Sequence, residues 1–185
     1  AKMHVRAFFL LAFASFGTAS PLFEMEPDSY SPNRWQKTGR APKDAKIQLN
    51  FMVKQTNMDK LEAIFHLVSD PTTPFYGKHL TNQEVHTLVA PKPESLETLR
   101  QYLSQHGLTG EPGTPNGDMI LVTTTIEKAE EILNTQYYTH QHDKTHQIVL
   151  RCSRYSLPSE VAEVLDLVAP TTSFPSVKDR VFTDR

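Results

Sequence analysis

Ser69-Asp70-Pro71-Thr72-Thr73-Pro74-Phe75-Tyr76-Gly77-Lys78-His79-Leu80-Thr81 separates two stretches of helical periodicity, and it reads as a built connection, not a slack one. Pro71 and Pro74 fix their own φ angles and push Asp70 and Thr73 toward extended backbone. Gly77 is free to take the positive φ of a sharp turn. Thr81, with Glu84 three residues on, forms a capping box that opens the next helix. A flexible linker of this length is rich in Gly and Ser. This one carries Phe75, Tyr76 and Leu80, apolar surface that asks to be covered by the domain or by a partner.

Working outward, Ile47, Leu49, Phe51 and Val53 alternate with Gln48, Asn50 and Met52, a strand with one apolar face. Thr56 or Asn57 caps a helix in which Met58, Leu61, Ile64, Phe65 and Val68 share a side, and that stripe is expected to be ordinary core. After the connection, Val85, Leu88 and Val89 mark a short helix stopped by Pro91. Pro93 opens a third, with Leu96, Leu99, Tyr102 and Leu103 on its inner side and Gly107 at its end. Leu108 to Gly117 is rich in Gly and Pro, and Asn116-Gly117 turns the chain into a strand at Met119 to Val122, apolar on both faces and so expected to be central. Thr124 with Glu127 is a second capping-box candidate, followed by a helix lined by Ile126, Ala129, Ile132 and Leu133. Gln136 to Gln141 and Thr145 to Cys152 read as strands joined around His142-Asp143-Lys144. Pro158 opens a last short helix with Val161, Val164, Leu165 and Val168 facing in. This order suits an α+β fold, a ferredoxin-like antiparallel sheet with helices packed on one face.

The flanks divide the 185 residues further. Residues 1–19 read as a signal peptide: Lys2 and Arg6 make a basic start, Ala7 to Phe16 is an apolar run too short to span a bilayer, and Gly17-Thr18-Ala19 are small. Residues 20–42 form an extended lead-in, which Trp35 is expected to pin to the domain. The domain proper is expected over 43–169, and 170–185 as a proline-bearing linker. The net charge of −2, with acids and bases interspersed, offers no basic face for nucleic acid, and no segment suits a membrane anchor. Cys152 is the single cysteine, so no intrachain disulfide forms, and a packing role is expected for it.

The run from Asp70 to Thr81, with the helix Leu61 to Val68 before it and Glu84, Val85, Leu88, Val89, Ala90 and Pro91 after it, resembles the activation prodomain of sedolisin-family serine peptidases. This is the pro-kumamolisin type, nearest to the animal tripeptidyl-peptidase I group. The resemblance extends from Asn33 to Ser176 and takes in Trp35 and the Leu157-Pro158 turn. It implies the same ferredoxin-like fold. It also implies an inhibitory and folding-assisting propeptide of a lysosomal acid serine peptidase, removed autocatalytically at acidic pH. The implied partner is the cognate catalytic domain, whose substrate cleft the prodomain covers intramolecularly, and the implied compartment is the secretory pathway, ending in the lysosome or outside the cell. The resemblance places calcium, where the family uses it, in that catalytic domain, and no cofactor in this chain. Phe75, Tyr76, Gly77, Lys78 and His79 are the contact residues by motif. A free-standing secreted inhibitor acting in trans is the alternative.

Catalysis is not expected from these residues. The family's nucleophilic serine lies in a Gly-Thr-Ser setting, which is absent here; the nearest string is Gly113-Thr114-Pro115. Glu130 and Glu131 are adjacent on a helix and so do not face each other as an acid and base pair would. His140 and His142 share a strand face and the turn brings His146 toward them, but no carboxylate or thiolate completes a zinc spacing, and no metal site is assigned. Histidines gain charge between neutral and lysosomal pH, which makes His79, His140, His142 and His146 the candidates for sensing acid.

Overall fold

The computed structural model describes residues 21–26 and 34–176, so the signal peptide and the far end of the linker lie outside the described residues. The strands are β1 (Leu22–Glu26), β2 (Trp35–Arg40), β3 (Lys46–Val53), β4 (Glu111–Pro112), β5 (Met119–Thr125), β6 (Tyr138–His142), β7 (Ile148–Arg151), β8 (Tyr155–Pro158) and β9 (Leu165–Ala169). The helices are α1 (Met58–Ser69), α2 (Asn82–Val89), α3 (Pro93–Gln105), α4 (Ile126–Ile132) and α5 (Ser159–Ala162).

β3 is the strand on which the core is built. Its period-two apolar set, Ile47, Leu49, Phe51 and Val53, is buried throughout, while the residues between stay partly or fully exposed. β5 pairs with it on one side, with Leu49 opposite Val122 and Phe51 opposite Ile120, and β9 pairs on the other, with Phe51 opposite Val168. The result is an antiparallel sheet in the order β4-β5-β3-β9. Leu99 and Leu103 of α3 and Ile126, Ala129 and Ile132 of α4 complete the same buried cluster. Each such side chain contributes about 1.5–3 kcal/mol by leaving water.

The α+β class holds, and the sheet is subdivided. β2-β6-β7 and β1-β8 form two further antiparallel sheets among the described residues. The lead-in is therefore extended because it is laddered: Trp35 pairs with His142 and Arg40 with Tyr138. Trp35 is buried, as its anchoring role requires. Cys152 is buried within the main cluster.

Two elements differ from expectation. The last helix is only one turn, Ser159–Ala162, and the apolar residues Leu165 and Val168 continue as strand β9. A run of apolar residues this short fits either period, and the free edge of β3 decides in favour of the ladder. The second cap sits one residue later than the spacing suggests: Thr125 accepts from the Lys128 N–H at 3.3 Å, while Thr124 is buried in the sheet.

Gly110 occupies a place only glycine fills, since a Cβ there would lie 2.3 Å from Ile120 Cγ2, a short branched side chain that cannot swing away. Gly110→Ala is expected to cost about 1–3 kcal/mol by overpacking. In urea unfolding the midpoint should fall with the slope unchanged.

Candidate partner-binding face

α1, the connection after it and α2 form a hairpin stapled at both ends. At the open end, the Thr56 hydroxyl donates to the Ala90 carbonyl at 2.7 Å and the Asn57 amide to the Leu88 carbonyl at 2.8 Å. Asn57 thus occupies the N-cap position of α1 in a left-handed conformation, but its side chain serves α2 instead of capping its own helix. At the other end, the Gly77 N–H donates to the Val68 carbonyl at 2.9 Å and the Thr73 hydroxyl to the Leu67 carbonyl at 2.6 Å. Gly77 has φ +75°, the conformation its place in the turn demands.

Carboxylates complete the frame. Asp70 accepts from the Thr72 N–H and hydroxyl, both at 2.8 Å, and Glu84 accepts from the Thr81 N–H at 2.8 Å while Thr81 accepts from the Glu84 N–H at 3.3 Å. The capping box read from the sequence is present in full. Backbone N–H donation holds both carboxyls below their usual range. A depressed carboxyl gives stability that is present above its unfolded pKa and is lost only as pH falls through the lower folded one. These two carboxylate anchors therefore hold to a lower pH than carboxyls in their ordinary range would. Thr81→Ala is expected to cost about 1 kcal/mol and to speed hydrogen exchange in the first turn of α2.

On this frame the large apolar side chains point outward. Met58 is 50% exposed, Phe65 62%, Leu67 45%, Phe75 51% and Tyr76 58%. The α1 stripe is thus not the ordinary core its periodicity suggests: within the helix only Val68 is buried. The reason is placement, since α1 leans chiefly on α2. Lys78 Nζ stands 5.5 Å from the Phe75 ring centroid, within cation–π range, and His79 is exposed beside it. Five large apolar groups are thus exposed along this one hairpin.

The remaining histidine candidates gather elsewhere. His140 and His142 do share a face of β6, and both are buried. The His142 ring meets Trp35 edge-on with centroids 5.1 Å apart, and the His140 ring meets Phe174 at 4.9 Å. Phe174 also packs against Trp35 at 5.7 Å. His146 lies in the turn of the β6–β7 hairpin with φ +55°, its N–H donating to the His142 carbonyl at 3.0 Å. Among the described residues, no three His, Cys, Asp or Glu side chains are arranged to hold a metal ion.

The linker begins fastened to the domain. Tyr137, buried, donates to the Pro170 carbonyl at 2.8 Å, the Cys152 N–H donates to the Thr171 carbonyl at 3.0 Å, and Arg151 donates to the Ser173 carbonyl. Sequence reading missed this docking and Phe174 with it; the available signal was an aromatic ring just before Pro175, close behind the strand Leu165–Ala169. The adjacent glutamates serve different partners: Glu130 pairs with Arg40 at 3.0 Å, and Glu131 with Lys128 at 2.8 Å and His106 at 3.0 Å. They are structural pairs, not a catalytic couple.

Residues 33–174 match the family model described as pro-kumamolisin, activation domain. The chain belongs to this family. The activation domain is 36% identical over 149 residues to physarolisin from Physarum polycephalum, an alignment covering 80% of this chain and 26% of that protein. It is 34% identical over 155 residues to tripeptidyl-peptidase 1 of Rattus norvegicus, covering 81% of this chain and 27% of that one. With tripeptidyl-peptidase 1 of Mus musculus the identity is 30% over 182 residues, 96% of this chain and 32% of that one. The activation domain thus spans about a quarter to a third of the length of these relatives. A propeptide role in sedolisin-type precursors goes with this family. Among its described residues no helix is long and apolar enough to cross a membrane.

Proposed function

We propose that the chain is the inhibitory and folding-assisting propeptide of a tripeptidyl-peptidase-like acid serine peptidase. It covers the substrate cleft of its catalytic domain until autocatalytic removal at acidic pH, and it travels the secretory pathway toward the lysosome or the cell exterior. The observation that carries this reading is the exposed set Met58, Phe65, Leu67, Phe75 and Tyr76, held on a hairpin anchored by Asp70 and Glu84. Phe75, Tyr76, Gly77, Lys78 and His79 form its tip: two rings for an apolar recess, a cation for its rim and a turn that fixes their direction. An apolar centre with a charged border is the anatomy of a protein-binding surface. Calcium, if the enzyme uses it, belongs to the catalytic domain.

Binding of this kind also assists folding. A propeptide that binds the folded peptidase and not its unfolded chain stabilises the product by RT ln(1 + [L]/Kd), about 2.7 kcal/mol at a hundredfold excess over Kd. The test is to refold a mature sedolisin-type peptidase at neutral pH with and without this chain, and to titrate its activity with the same chain. Higher yield and stoichiometric inhibition are expected. Equal yields and undiminished activity would sink the proposal.

A further inference from the structure

Trp35, the pair His140 and His142, and Phe174 come from three separate parts of the chain and meet in one cluster. Trp35 belongs to the lead-in, the histidines to β6, and Phe174 to the linker. We propose that this cluster is an acid-opened clasp: it holds Phe174 against the domain at neutral pH, and lets it go when His140 takes up a proton. Its purpose rests on the propeptide reading above; its chemistry does not.

The surroundings of His140 oppose charge. The ring is buried, Lys37 stands across from it on β2, and Arg151 approaches from β7. Burial is the largest influence and pulls its pKa below the ordinary value of 6.5; the Tyr138 carbonyl, 3.2 Å from Nδ1, pulls upward, and the two cations add smaller downward pulls. An imidazolium does gain from an aromatic face, but here it would meet that face with water excluded and two positive groups beside it.

The tautomer of the neutral His142 ring is set by geometry. Its Nδ1 accepts from the Thr145 N–H at 3.2 Å, and a backbone N–H can only donate, so the ring proton sits on Nε2. The Thr145 hydroxyl is 3.1 Å from the same nitrogen and Asp143 Oδ1 3.7 Å. Arg34, whose carbonyl accepts from the Asp143 N–H, together with Lys144 and His146, completes the charged and titratable groups at that end. Gln36 and Gln141 line the groove beside it and do not titrate.

The direction follows. The clasped state binds the His140 proton more weakly than the open one. The clasp is therefore at full strength above about pH 6.5 and weakens as pH falls below it. The bonds from Cys152 to Thr171 and from Arg151 to Ser173 involve no group that titrates in this span, so release begins at Phe174.

Trp35 is the only tryptophan of the chain, so acrylamide quenching of its fluorescence reads the clasp directly. The purified chain, without peptidase, is titrated from about pH 7.5 to about pH 5, the span in which histidine titrates, with far-UV circular dichroism alongside. A several-fold rise in quenching with unchanged dichroism is expected. His140→Phe should keep quenching low to the acid end, and Phe174→Ala, which alters only the tail, should raise it already at neutral pH and abolish the transition. Quenching that stays flat, that rises only as dichroism is lost, or that is the same in Phe174→Ala as in the parent would overturn the clasp. Failure of the propeptide reading would show instead as absent inhibition at neutral pH, whatever Trp35 does.

Discussion

Replacing Phe75 and Tyr76 together by alanine should weaken inhibition of a sedolisin-type peptidase by about a hundredfold to a thousandfold. Aromatic anchors at interfaces commonly cost 2 kcal/mol or more each when truncated, so about 3–4 kcal/mol for the pair, at about 1.4 kcal/mol per factor of ten. The fold should not register the change. Both rings are more than half exposed, and the backbone under them is held by Thr73, Asp70 and Gly77, none of which the substitutions touch. Exposed positions of this kind shift stability by about 0.5 kcal/mol or less. The decisive measurement is therefore paired: an inhibition constant and an unfolding midpoint on the same variant. A large loss of inhibition with an unmoved midpoint places the contact at the hairpin tip, whereas unchanged inhibition would remove Phe75 and Tyr76 from the interface.

Phe51→Ala is the opposite case. Phe51 is fully buried on the central strand, opposite Ile120 on one side and Val168 on the other. Removing its ring should cost about 3–5 kcal/mol, part as lost burial and part as the cavity left behind. A domain of this size holds about 5–15 kcal/mol in all, so the variant should be largely unfolded at modest urea and inhibit only as far as it folds. Chemical denaturation followed by circular dichroism reads this directly. A midpoint close to that of the parent would mean that β3 is not where the stability resides.

The two experiments separate what was legible in the sequence from what was not. The period-two pattern of Ile47 to Val53 reports burial correctly because a strand paired on both sides has its core face fixed by register. The Thr81–Glu84 box was legible because both its bonds are local. The stripe of α1 was misread because periodicity says which residues share a side, not what that side meets; Phe65 and Val68 lie on one stripe, yet Val68 is buried and Phe65 exposed. β9 was read as helix because its apolar spacing fits both periods, and only the unoccupied edge of β3, some 110 residues earlier in the chain, settles the matter. The same holds for the site. The structure leaves Phe75 and Tyr76 exposed, and the proximity of His140 to His142 was visible in their spacing. The arrival of Phe174 from the tail was not, because nothing local encodes it.

The pairing of β3 with β9 also sets a schedule for synthesis. β3 leaves the ribosome early, but the strand that closes its second edge follows about 110 residues later, roughly 5–25 seconds at ordinary elongation rates. During that interval the strand on which the core is built has an open edge, a period in which a nascent chain is exposed to wrong pairing. Closure comes with Leu165–Ala169, immediately before the linker. Any polypeptide translated downstream thus emerges when the last of the described strands has only just become available to close the sheet.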